Sequence, residues 1–132
     1  MSGRVRVGAA ECRREWARLR EEWGPGREHG WIGSSLGELI AAAVDEPVLL
    51  RLFPYTSMNE LHVSQSGDFR QYGGEGFPGV VGWEGGYHVV EGAGGDRRTV
   101  LSTPDPARAL ACFVELVERR LVERRPAERR AP

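Results

Sequence analysis

Leu52-Phe53-Pro54-Tyr55-Thr56-Ser57-Met58-Asn59-Glu60-Leu61-His62-Val63-Ser64 is the stretch whose residue types could do chemistry. It brings an aromatic-Pro-aromatic group, two hydroxyls, an amide and an imidazole to one strand-to-strand turn. Tyr55, Thr56, Ser57, Asn59 and His62 could hold a peptide or a small polar molecule there. Trp83 and Tyr87 would add aromatic area if their strands neighbour that end. Thr56, Ser57 and Asn59 are also ordinary turn formers, and Phe53 and Tyr55 could simply close a sheet end. A second chemistry uses Ser57 as nucleophile, His62 as base and Asp68 or Glu60 as the acid. That constellation is decided by geometry and not by residue type.

Other motifs have plainer explanations. Gly33-Ser34-Ser35-Leu36-Gly37 fits the G-x-S-x-G pattern, but it lacks the preceding strand a nucleophile elbow needs. Gly74-Glu75-Gly76-Phe77-Pro78-Gly79 fits G-x-G-x-x-G. Strand-like residues follow it, whereas a dinucleotide fingerprint opens a helix. His29, His62 and His88 show no metal-ligand spacing, and Cys12 and Cys112 stand far apart. No metal, no cofactor and no disulfide framework is expected. Arg119-Arg120, Arg124-Arg125 and Arg129-Arg130 interleave with Glu118, Glu123 and Glu128. That alternation reads as a solvated helix end and not as a nucleic-acid arm.

The elements that must position these residues follow from periodicity. Cys12, Trp16, Leu19 and Trp23 share one face of a helix over Ala9 to Trp23, ended by Gly24-Pro25-Gly26. A second helix is predicted from Leu36 to Asp45, with Ser35 and Glu38 as a capping box. Val48 to Phe53 reads as a central strand. Glu60 to Ser64 alternates, with Leu61 and Val63 inward and His62 on the polar phase. Val80 to Val90 reads as a hairpin about Glu84-Gly85-Gly86, and Arg98 to Ser102 as a last strand. Thr103 and Pro104 open a final helix carrying Leu110, Val114, Val117 and Leu121, predicted to fray before Pro126.

The expected fold is α+β: an antiparallel four- or five-stranded meander covered by two N-terminal helices and one C-terminal helix. One domain over residues 1–125 with a disordered tail over 126–132 suits a chain of 132 residues. All 18 basic residues are Arg, and the formal net charge is −1. Near neutrality gives no general pull toward nucleic acid or membrane. No run of about 18 apolar residues is present. The opening MSGRVRVGAA has no apolar stretch of signal-peptide type, so the expected location is the cytoplasm. Trp16 and Trp23 would pack inward or form a dimer face, which leaves monomer and homodimer open.

Phe53-Pro54-Tyr55-Thr56-Ser57, with the Val80–Val90 hairpin and the helix after Thr103-Pro104-Asp105-Pro106, resembles a domain-of-unknown-function family. Its members carry the label natural-product biosynthesis protein. The resemblance covers about residues 34–123; Met58 stands where the family often has His or another polar residue. It implies an accessory role in a biosynthetic cluster and names no active residue. Three functions follow as expectations. One is an accessory or binding protein for a peptide, a pathway enzyme or a small metabolite. Another is a hydrolase-like enzyme using Ser57 and His62. A third is a toxin-neutralising module, which rests on fold analogy alone.

Overall fold

The computed structural model describes residues 7–24, 36–68, 70, 74–83, 85–92 and 94–130. The Ser34 and Ser35 motif, His29 and the capping box at Ser35 lie outside the described residues.

Two helices come first, α1 (Ala9–Glu22) and α2 (Leu36–Ala43). Five strands follow: β1 (Phe53–Ser57), β2 (Glu60–Ser64), β3 (Gly79–Trp83), β4 (Gly86–Glu91) and β5 (Arg98–Thr103). Helix α3 (Pro106–Arg130) closes the fold. The sheet is an antiparallel meander in chain order, β1-β2-β3-β4-β5. This is the expected α+β architecture, with five strands.

Alternation along each strand sorts the side chains onto two faces. One face carries Leu61, Val63, Val80, Tyr87 and Val89, all buried against the helices. Trp16 and Leu19 of α1, Leu36, Leu39 and Ile40 of α2, and Phe113 and Val117 of α3 complete that core. The other face carries Tyr55, Ser57, Glu60, His62, Val81, Trp83 and His88, and none of the described helices covers it.

Three expectations need correction. Val48 to Phe53 is not a central strand: a 3-10 turn spans Leu49–Arg51, and the following strand β1 is at the sheet edge. An apolar run this short fits either geometry. Here Trp16 decides, because its Nε1 donates to the carbonyls of Leu49 (2.9 Å) and Leu52 (3.0 Å) and so holds the turn. Pro54 suits the edge, where a missing N–H breaks no ladder. The last helix starts later than Pro104. Thr103 Oγ1 accepts from the Asp105 N–H and Asp105 Oδ1 from the Ala107 N–H, which puts Pro106 in the favoured first position. At its other end the helix continues past Pro126 to Arg130, where fraying was expected; residues 131–132 of the expected tail lie outside the described residues. The Arg- and Glu-rich run around it consists of good helix formers.

Met58 and Asn59 make the β1–β2 turn, and Met58 has φ 54°. A left-handed conformation costs an L-residue about 1–2 kcal/mol. Met58 is also 56% exposed, so its side chain returns little of that cost in packing. Met58→Gly is therefore expected to raise stability by up to about 1 kcal/mol in urea unfolding. A loss would show that the side chain packs more than its exposure suggests.

Candidate functional site

The uncovered face is built by register. Tyr55 stands opposite His62, and their rings stack at 5.3 Å and 18°. His62 in turn stands opposite Gly79. A β-carbon on Gly79 would lie 2.5 Å from His62 Cε1, so only glycine lets the imidazole lie down on β3. Glu60, one pleat along, accepts from His62 Nε2 (2.8 Å) and pairs through Oε2 with Arg97 Nη2 (3.1 Å). An ionised carboxylate only accepts, so Nε2 carries the shared proton.

Burial pushes the Glu60 carboxyl up, but the bonds from His62 and Arg97 outweigh it and hold the group below its ordinary value. A depressed folded value contributes stability that is complete above the unfolded value, about 4.3 for Glu. That contribution is lost as pH falls through the lower folded value. Glu60→Gln is therefore expected to flatten the acid limb of the stability curve below about pH 4.3 while changing its shape little near neutrality. Urea unfolding across the acid range checks this; parallel acid limbs for the two proteins would contradict it.

A cleft of about 310 Å³ opens beside this chain of groups. Tyr55, Glu60, His62, Val90 and Arg97 line it, together with Gly76, Phe77, Gly92 and Gly94. Its wall is the segment that folds back after β2. Buried Glu75 holds that segment, accepting from Ser64 Oγ (2.5 Å) and from the Gln65 N–H (2.8 Å). From α3, Arg120 Nε and Arg124 Nη1 donate to the Glu75 carbonyl (2.8 and 3.1 Å), and Arg124 lies 5.7 Å over the Phe77 ring. Arg120 and Arg124 are thus fasteners of the cleft wall, where the sequence reads a solvated helix end. They lie on the helix face toward the loop, which charge alternation alone does not reveal. Arg129 and Arg130 lie where no side chain is described.

The other expected site residues divide. Trp83 is exposed on the same face, edge-on to His88 at 3.8 Å, and His88 Nδ1 bonds Ser102 Oγ at 2.5 Å. Asn59 is committed to structure: its Nδ2 donates to the Gly82 carbonyl, while its own carbonyl accepts from the Gly82 N–H, both at 2.8 Å. Thr56 is on the phase of the helix-facing side, opposite Leu61. Tyr87 is only 2% exposed. It pairs with Gly82 and joins the core, because one residue along a strand changes face. Ser57 shares the open face but stands opposite Glu60, while His62 directs its hydrogen bond to Glu60. Asp68 pairs with Arg70, which lowers its carboxyl through that side-chain bond. The Ser57–His62–Asp68 set is therefore not assembled as a hydrogen-bonded triad.

Arg97, Gly79 and Phe77 were not legible as site residues, since each comes from a separate element and only register joins them. Among the described residues, no group of three or more His, Cys, Asp or Glu could hold a metal ion. No described helix is long and apolar enough to cross a membrane. Both cysteines are free, and burial pushes each thiol up.

The model of a family of unknown function, DUF6193, matches residues 12–119. The chain belongs to that family. DUF6193 thus takes in α1 from Cys12 on and the whole sheet, reaching further toward the N-terminus than the resemblance over residues 34–123, and every residue lining the cleft falls within it. No curated protein and no solved structure matches the chain.

Proposed function

We propose that this DUF6193 member is a small accessory binding protein that holds a small metabolite or peptide on the uncovered sheet face, in the setting of specialised-metabolite biosynthesis. The observation that carries this reading is the cleft itself. Helices take one face of the sheet, and the other keeps a stacked Tyr55–His62 pair, a Glu60 engaged by His62 and Arg97, and an opening of about 310 Å³. Ligand clefts are commonly of about 300–1,000 Å³, apolar in their walls, with a few placed polar groups. Tyr55, Phe77 and Val90 supply the walls, and His62 and Arg97 the polar groups. The biosynthetic setting rests on the family resemblance at Phe53 to Ser57.

The test is recovery of the tagged chain from its native host, with mass spectrometry of what leaves with it on denaturation. Tyr55→Ala is the companion, checked for fold by circular dichroism. A defined small molecule or peptide, present with the parent chain and at least tenfold depleted in Tyr55→Ala, is the expected result. The same compounds in equal amount from a folded Tyr55→Ala variant would overturn the assignment of this face.

A further inference from the structure

The charges around the cleft narrow its ligand. Among the described residues that line it, Glu60 and Arg97 are the charged ones. Glu60 has an oxygen engaged by each neighbour, Oε1 by His62 and Oε2 by Arg97. Two of that carboxylate's roughly four acceptor positions are thus filled by donors of its own fold, and its charge is already matched by Arg97. The guanidinium differs: Glu60 takes Nη2, and an Arg side chain has five N–H donors in a planar fork. That fork matches a carboxylate in bidentate geometry. The Arg97 side chain is 35% exposed, so its remaining donors are within reach of solvent and ligand.

Shape adds to charge. Gly76, Gly92 and Gly94 line the cleft with φ of 75°, 91° and 56°, conformations that exclude most side chains and so keep the walls bare. The apolar surfaces available are Phe77, Tyr55 and the buried Val90. At about 310 Å³ the space is at the small end for ligand clefts.

We infer that the cleft takes a small carboxylic acid with a flat apolar body, its carboxylate held by Arg97 and its body against Phe77, Tyr55 and Val90. This rests on the binding reading of the same face. An acid of this kind has two sources, a free metabolite or the terminus of a short peptide, and the carboxylate chemistry is common to both.

Calorimetric titration of the full chain with indole-3-acetate and with its neutral isostere indole-3-acetamide tests the inference. The acid is expected to bind at least tenfold more tightly than the amide. Arg97→Gln should erase that preference, whereas Arg98→Gln should keep it, since Arg98 pairs with Glu91 outside the cleft. The tripeptide Gly-Gly-Phe, with free and with amidated terminus, separates the sources. Tighter binding of the free tripeptide than of indole-3-acetate assigns the carboxylate to a peptide end, and weaker binding to a free acid. Equal binding of acid and amide, abolished by Tyr55→Ala, would overturn the carboxylate assignment and leave the binding reading standing. A preference for the acid that survives Arg97→Gln would overturn the role of Arg97. Binding of none of the probes would overturn the inference outright, and the co-purification result would then judge the binding reading alone.

Discussion

Trp16→Ala is expected to destabilise the fold by about 3–5 kcal/mol, the range for emptying a large aromatic site in a core. Trp16 is 1% exposed; it packs in the core, anchors α1 and holds the turn before β1. A domain of this kind has only about 5–15 kcal/mol of net stability. The melting temperature should fall by roughly 10–20 °C in calorimetry. Trp16→Phe separates the two contributions. It keeps most of the volume but removes the shared indole donor; the Leu49 carbonyl still accepts from the Leu52 N–H (2.9 Å), so the loss is on the order of 1 kcal/mol. A fall of under about 1 kcal/mol for Trp16→Ala would show that α1 does not hold the Leu49–Leu52 turn. The effect should also reach the site, since Tyr55 begins three residues after Leu52.

Gly79→Ala is the second large effect. The new β-carbon would meet His62 Cε1 at 2.5 Å and Nδ1 at 2.6 Å, so the ring must leave its seat on β3. Overpacking of this kind costs about 1–3 kcal/mol. Its more informative consequence lies in the cleft. A displaced His62 gives up its bond to Glu60 and its stack on Tyr55 together, and the opening beside them changes shape. Titration with indole-3-acetate should show at least a tenfold loss, and urea unfolding the lower stability. Stability and binding both unchanged would mean that His62 does not lie over Gly79.

Much of the scaffold was legible because its signals are local. Cys12, Trp16 and Leu19 are buried on α1 as their spacing predicts, and Leu36, Leu39, Ile40 and Ala43 on α2. In β2, Leu61 and Val63 face the core and His62 the other side. What failed was decided by tertiary partners. Val48 to Phe53 carries no local preference strong enough to choose strand over turn, and the Trp16 indole, more than thirty residues away, makes the choice. Tyr87 was misplaced because strand register determines its face, and a hairpin's composition does not state its register. The candidate site was half visible: Tyr55, Ser57 and His62 lie in one stretch, and Trp83 joined them on the same face. Arg97 and Phe77 carry no motif. They gain meaning only when β2, β3 and the segment before β5 are laid side by side.

The order β1-β2-β3-β4-β5 has a consequence for how the molecule is made. Every strand pairs with the one translated just before it, so no sheet contact waits for a distant stretch of chain. Closing short loops costs little entropy, and domains rich in local pairing fold quickly. The meander can therefore zip up strand by strand as it leaves the ribosome. Helix α3, packed on both α2 and β4, follows the sheet in the chain and locks what came before.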